Sequence, residues 1–358
     1  MKGNKTFHNS FWSNKRILIT GHNGFKGSWL SLFLMKLGAE IYGISLKNED
    51  PNSLFNKLGI QKNINERIID IRYYDGIKKA ISSFAPDIIF HLAAQPLVRE
   101  SYLKPLETWS TNVMGTISIL EALRESKKKV VFIGITTDKV YYNNEWIYGY
   151  RENDRLGGAD PYSSSKAATE LAISSWKQSF SNNRDFLISS ARAGNVIGGG
   201  DYAKDRIIPD IFRSLKEKKI LNIRNPRSTR PWQHVLEPLW GYMLLAEKMN
   251  KDSSFSDSYN FGPEYNSNRS VQEVVDAFSK VIEIQYKVNT SNDDFKESEL
   301  LNLVSDKSKQ KLNWRPVWDF EKTIYRTASW YNKILKNDSI AYDLCMEDIS
   351  EFMKDQNI

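Results

Sequence analysis

Tyr162 and Lys166 stand four residues apart in "DPYSSSK" (160–166). On a helix that spacing puts both side chains on one face. An ammonium beside a phenol stabilises phenolate, giving a base that can take a hydroxyl proton while hydride leaves the same carbon. Asp160 suits an N-cap and Pro161 the first helical position, so a helix has its start signal where the pair needs one. A second pair, Asp138 and Lys139, follows Thr136 and Thr137 in "GITTDKVYYN" (134–143), where an apolar run stops. An acid beside a base there is either a surface ion pair or two proton-transfer groups. Carboxylic acid plus amine and carboxylate plus ammonium are tautomers. Water favours the ion pair by several pKa units, and burial narrows that gap.

A third group of residues would bind rather than react. "TGHNGFKG" places Gly21, Gly24 and Gly27 between the apolar run "RILIT" and a helical pattern that stops at Gly38. Glycine permits a tight turn and close backbone approach to a pyrophosphate, and the following helix start offers free N–H groups. Lys26 precedes Gly27, so the G-K-S/T order of a nucleoside-triphosphate loop is absent; Lys26 is instead a candidate for cofactor phosphate. Strand two, "AEIYGIS", ends at Ser45 and Lys47, with carboxylates only at Glu49 and Asp50. The acidic residue that would hold the 2′-hydroxyl of NAD is thus missing, and NADP stays open on local grounds. Asp70 and Ile71, ending a third strand, are candidates to cradle the adenine.

These residues need a scaffold. Further apolar runs read as strands at 67–71, 87–93, 129–137 and 185–193, with helices at 75–84, 106–126 and from 161. Strands apolar on both faces and separated by helices predict a parallel sheet covered on both sides. The predicted fold is α/β: a Rossmann-type doubly wound parallel sheet with a smaller mixed α/β C-terminal substrate domain. Residues 15–195 form the dinucleotide-binding domain and 196–335 an interleaved substrate region. Residues 1–14 read as an N-terminal extension and 336–358 as a C-terminal tail.

Composition narrows the function classes. A chain of 358 residues, 41% hydrophobic, can bury a large core. The net charge of +7 is spread along it, and the short runs "KKK" (127–129) and "KEKK" (216–219) lack interleaved aromatics. Nucleic acid is therefore not an expected partner. Cys345 is the only cysteine and the four histidines are scattered, so neither a disulfide nor a metal site is expected. No apolar run is long enough to span a bilayer, and the first fifteen residues lack a signal-peptide core. A cytoplasmic protein is expected.

The glycine loop, "HLAAQP", "TNVMGT", "TTDKVY", "YRENDRLGGADPYSSSK", "ARAGNVIGGGDYAKDRIIPD" and "RPWQHVLEPL", in that order, resemble the extended short-chain dehydrogenase/reductases over residues 15–335. More narrowly they resemble the nucleotide-sugar 4,6-dehydratases, with Lys139 where that motif has glutamate. The resemblance implies a tightly bound, regenerated NAD. Its contacts would be Gly21, Asn23, Gly24, Phe25, Lys26, Gly27, Asp70, Ile71, Leu92, Ala93, Ala94, Gln95, Thr136, Tyr162 and Lys166. It implies oxidation of a sugar at C4, loss of water across C5–C6, and return of the hydride to C6. Tyr162 would be the C4 base, supported by Lys166; Thr137 would bond the sugar hydroxyl, Asp138 would protonate the leaving C6 hydroxyl, and Lys139 holds the C5-base position. Arg192, Asn195, Arg206 and Arg230 would bind the nucleotide sugar, Arg206 and Arg230 at its diphosphate. Pro231, where the related dTDP-sugar enzymes read R-D-W, leaves the backbone there open. By analogy the chain would form a homodimer or larger homo-oligomer. No spacing selects the nucleotide base. An epimerase of the same superfamily would share Tyr162 and Lys166 without needing Asp138–Lys139, and a non-catalytic NAD(P)-binding sensor would be free to lose the tyrosine or lysine.

Overall fold

The computed structural model describes residues 9–126, 128–181, 186–288 and 300–358. Seven strands form its main sheet: β1 (Arg16–Thr20), β2 (Glu40–Ser45), β3 (Asn65–Ile68), β4 (Ile88–His91), β5 (Val130–Ile135), β6 (Phe186–Ala193) and β7 (Ser258–Phe261). Their order is β7-β6-β5-β4-β1-β2-β3, and every pairing is parallel. The order reverses between β1 and β4, which opens a crevice at their carboxyl ends; folds of this kind bind ligands there.

Side-chain alternation explains why the strands read as uniformly apolar. Ile17 and Ile19 of β1, Ile88 and Phe90 of β4, and Val131, Ile133 and Ile135 of β5 enter one core. Leu18, Ile89, Val130 and Phe132, on the opposite face, enter another. With helices on both faces, each strand must be apolar on both.

β7 comes from the later part of the chain yet pairs with β6 along Ser258–Phe261. The second region is thus stitched into the first sheet rather than tethered to it. It adds three two-stranded pieces: Thr229–Pro231 with Asn268–Ser270 (antiparallel), Leu221–Ile223 with Tyr286–Val288, and Val196–Ile197 with Gln233–His234. Pro231 ends one strand of the antiparallel piece, opposite Asn268.

Several elements differ from the sequence reading. β3 spans Asn65–Ile68 and is exposed throughout, shifted from the expected 67–71. It is an edge strand, and Ile71 lies beyond it, buried against Gly115, where an added Cβ would sit 2.5 Å from the isoleucine Cδ1. The apolar pattern there marks a docked loop. The long helix expected at 106–126 is α-helical at Pro105–Trp109 and Gly115–Arg124, with a π turn at Ser110–Met114 between them. The last residues, which no motif places, form a helix over Ala341–Asp355. Its Leu344, Cys345, Ile349 and Phe352 are buried, and Phe352 meets Phe33 and Trp318 edge-on. Of the predicted extension, residues 1–8 lie outside the described residues, while Trp12 is fully buried and meets Phe90.

Candidate active site

The glycine loop leaves β1 and enters helix α1 (Phe25–Lys36). Gly21 takes φ +72°, and a Cβ on it would sit 2.8 Å from the Ala93 nitrogen. The loops after β1 and β4 therefore touch, and only glycine fits between them. A Cβ on Gly27 would lie 2.1 Å from the Gly21 carbonyl oxygen, so Gly27 sets the seat of α1 against the loop. Gly24 is the N-cap and supplies no side-chain cap, leaving first-turn N–H groups open to an anion. This cradle fits a dinucleotide pyrophosphate. Gly27→Ala is expected to lower dinucleotide affinity about 5- to 150-fold in a calorimetric titration, because overpacking costs about 1–3 kcal/mol.

Neighbouring candidates hold the loop in shape. Asn23 donates to the Leu46 carbonyl (2.8 Å), and Asn48 donates to the Asn23 carbonyl (3.2 Å). His22 is buried against Glu66, 2.6 Å away, and Gly43 is needed because a Cβ there would meet the imidazole at 2.5 Å. Asp70 is engaged by Arg72, whose hydrogen bonds hold its carboxyl below the usual range.

After β4, Leu92–Gln95 are fixed by a buried relay. Thr116 donates its hydroxyl proton to the Asn112 carbonyl (2.7 Å), so it can only accept from His91 Nε2 (2.9 Å). His91 Nδ1 then accepts from Thr20 (2.7 Å), which itself accepts the Ala93 N–H (3.2 Å). Burial, then the nearby Lys166 charge, pushes His91 down to about 3, so it stays neutral and this tautomer is the one the network requires. The Asn112 amide takes the Gln95 N–H (2.8 Å) and donates to the Ser165 hydroxyl (2.9 Å). Asn112 lies in the π turn, which frees its carbonyl for Thr116 and Thr169.

Helix α2 (Pro161–Phe180) carries Tyr162 and Lys166, both buried. Asp160 caps it by accepting the Ser163 N–H (2.9 Å). The Lys166 ammonium donates to the Ile135 carbonyl at the end of β5 (3.1 Å). Burial lowers its amine to about 8, with Glu170 opposing. Burial also pushes the Tyr162 phenol up to about 12; the Thr137 hydrogen bond works against this and Asp138 adds to it. The groups that depress the phenol in the free protein are Thr137 and Arg206 rather than the expected Lys166, and desolvation outweighs them.

β5 stops at Ile135, so Thr136 and Thr137 lie beyond the strand rather than in it. Thr137 caps a short turn over Asp138–Val140, accepting from the Lys139 N–H (3.3 Å) and donating to Asp138 Oδ1 (2.9 Å). Asp138 is buried, and that burial raises its carboxyl; Lys139, the Thr137 bond, Arg230 and Lys26 oppose the rise. Lys139 is half-buried, and no Asp138–Lys139 ion pair is present among the described residues. A Cβ on Gly194 would reach Asp138 Oδ2 at 2.9 Å, a neighbour no motif reveals.

Cations surround this acid. Lys26 is lowered to about 8 by burial, then by Arg206 and Lys166. Arg206 pairs with Asp201 at 3.0 Å, and buried Arg230 donates to the Thr229 carbonyl (2.8 Å). Four positive side chains converging near Asp138 and Tyr162 suit a polyanionic ligand. Half-buried Asn195 has no side-chain partner among the described residues. Arg192, expected at the substrate, has a side chain 4% exposed that bonds to Glu170, Tyr141 and the Glu152 carbonyl. Trp232 and His234 are buried packing residues, His234 lying between Trp29 and Trp318. Among the described residues no cluster of three metal-ligating side chains occurs, and no helix is long and apolar enough to cross a membrane.

Comparison with known proteins agrees with this arrangement. The family model for GDP-mannose 4,6 dehydratase matches residues 18–327. A CDP-glucose 4,6-dehydratase of Salmonella typhimurium is 41% identical over 96% of this chain and 98% of its own length. A dTDP-D-glucose 4,6-dehydratase of Dictyostelium discoideum is 28% identical over 70% of this chain and 59% of its own. Among solved structures, dTDP-glucose 4,6-dehydratase from Bacillus anthracis in complex with NAD superposes with TM-score 0.75 at 21% identity, covering 89% of this chain and 97% of that one. With a doubly wound sheet, a glycine cradle, the Tyr162–Lys166 pair and a match over most of its length, the chain belongs to the GDP-mannose 4,6-dehydratase family, within the nucleotide-sugar dehydratases of the extended short-chain dehydrogenase/reductases.

Proposed function

We propose that this chain is a CDP-glucose 4,6-dehydratase, converting CDP-glucose to CDP-4-keto-6-deoxyglucose. The observation that carries the reading is the Asp138 carboxyl, buried and bonded to the same Thr137 hydroxyl that engages Tyr162. An epimerase needs the tyrosine and lysine but no buried acid. The choice of CDP-glucose rests on the relative at 41% identity.

In this reading Tyr162 takes the C4 hydroxyl proton, with Thr137 holding that oxygen. NAD, which Gly21, Gly24 and Gly27 would cradle, would supply a hydride acceptor for C4 and a hydride donor for C6, so that no external reductant is consumed. Asp138, its carboxyl raised by burial, protonates the departing C6 hydroxyl. Lys139, the half-buried neighbour, takes the C5 proton and returns it there as C6 is reduced; the C6 hydroxyl leaves as water with the proton from Asp138, and the proton taken by Tyr162 replaces that one. Arg206 and Arg230 hold the diphosphate, and Asn195 contacts the nucleotide sugar. The reading carries a cytoplasmic location and a homodimer or larger homo-oligomer, its interface formed by exposed Leu106, Met114 and Leu171 on the adjoining helices.

The test incubates purified protein with CDP-, dTDP-, UDP- and GDP-glucose and follows loss of water by mass spectrometry. Product from CDP-glucose is expected; turnover of another nucleotide sugar but not of this one overturns the substrate. A pH profile adds a second check. Lys166 is cationic below about 8 and neutral above it, so kcat/KM, which reports the free enzyme's groups, is expected to fall as pH rises through about 8. Lys26 titrates in the same range and adds to the fall.

A further inference from the structure

We propose that the buried Glu170–Arg192 ion pair positions the turn carrying Thr137, Asp138 and Lys139, and that Arg192 serves the chemistry only through that turn. The proposal rests on the functional reading above. Glu170 lies one helical turn past Lys166 on α2, and Arg192 is the penultimate residue of β6. Their side chains meet at 2.8 Å and are 2% and 4% exposed.

Each partner also holds one end of the turn. At the entry, the Thr136 hydroxyl donates to Glu170 Oε1, while the Thr136 N–H donates to the Ala191 carbonyl (2.9 Å). At the exit, Arg192 Nη1 donates to the Tyr141 hydroxyl (2.8 Å) and the Glu152 carbonyl (2.9 Å). Tyr141 passes its own proton to Asn260 Oδ1 (2.7 Å) on β7. Ser190 completes the carboxylate's partners at 2.7 Å. One buried pair therefore brackets residues 137–140 from both sides.

The turn needs this support because its own backbone bonds are poor. Val140 N to Thr137 O measures 3.4 Å and Tyr141 N to Asp138 O 3.5 Å, beyond the usual range of about 2.7–3.2 Å. A buried ion pair is weak evidence for stability, since well-packed apolar groups often do as well. Its three-way geometry here is better explained by placement. A catalytic group misplaced by about 1 Å can cost about 10²-fold in rate.

Arg192→Lys keeps a charge for Glu170, but one ammonium cannot span Glu170, Tyr141 and Glu152 together. Without any ligand, hydrogen exchange over residues 136–141 is expected to speed up while circular dichroism and Tm stay near those of the parent. With CDP-glucose, kcat is expected to fall about 10–100-fold with KM within about threefold, and water loss to suffer more than C4 oxidation. A KM raised tenfold or more with kcat kept would show that Arg192 binds substrate directly and overturn the proposal. So would unchanged exchange. Tyr141→Phe removes only the hydroxyl Arg192 holds, and should give the same exchange and rate effects if Arg192→Lys fails to fold. If the parent protein turns over no nucleotide sugar, the functional reading fails, and the exchange measurement still decides the positioning role.

Discussion

Tyr162→Phe is expected to abolish hydride transfer from C4, lowering turnover about 10²–10⁴-fold, the usual contribution of a positioned acid–base group, while the protein stays folded. Only one hydroxyl is lost. Its partner Thr137 keeps bonds to Asp138 and to the Lys139 N–H, so no buried donor is stranded and Tm should move by no more than a few degrees. The reason for so large a loss is electrostatic. Burial, the largest cause, leaves the phenol at about 12, so the site must favour phenolate by positive charge brought close to it, and phenylalanine has no oxygen to receive the proton. The measurement is a single turnover with CDP-glucose, following reduced-nicotinamide absorbance. No rise is expected. A normal rise would assign the C4 base to another residue.

Asp138→Asn and Lys139→Met are expected to fail one step later, and differently from each other. Neither side chain takes the C4 proton, so both variants should still oxidise the sugar and accumulate the reduced cofactor. The amide of Asp138→Asn keeps an oxygen for the Thr137 hydroxyl, which lies 2.9 Å from Asp138 Oδ1 in the parent, but has no acidic proton to give a leaving hydroxyl. Water loss should fall about 10²–10³-fold, within the range of general acid catalysis, while the substrate's C5 proton still exchanges with solvent deuterium, because Lys139 remains. Lys139→Met should lose both water release and that exchange. Exchange that persists in Lys139→Met would assign the C5 base elsewhere and leave the lysine as a positive charge beside a developing enolate. The absence of an Asp138–Lys139 ion pair among the described residues matters here. The lysine charge opposes the effect of burial on the acid without a direct ion pair between the two.

The legible parts of the site are those whose geometry is local. Tyr162 and Lys166 share a face because a helix repeats every 3.6 residues, and Asp160–Pro161 announce that helix. Gly21, Gly24 and Gly27 mark a turn whose tightness is settled within seven residues. The parallel sheet shows itself because strands buried on both faces must be apolar throughout. Misplaced elements fail for a matching reason: Ile71 is apolar because its loop docks on Gly115, and apolar pattern alone does not separate a strand from a docked loop.

Arg192 shows the other side. At the end of β6, in a motif of this family, it looks like a ligand for substrate, yet Glu170, twenty-two residues earlier, takes its charge, and Tyr141 and the Glu152 carbonyl accept from its Nη1. Nothing near residue 192 in the chain predicts those partners. The same holds for Gly194 against Asp138 and for the Thr20–His91–Thr116 relay. By itself the sequence determined which chemical groups are present and which short-range geometries they adopt, because backbone preferences and side-chain period act over a few residues. The tertiary structure alone decided their protonation and pairing. Desolvation and Coulomb forces depend on which distant atoms are brought within a few ångströms, and here they raise Asp138, lower Lys166 and pair Arg192 with Glu170.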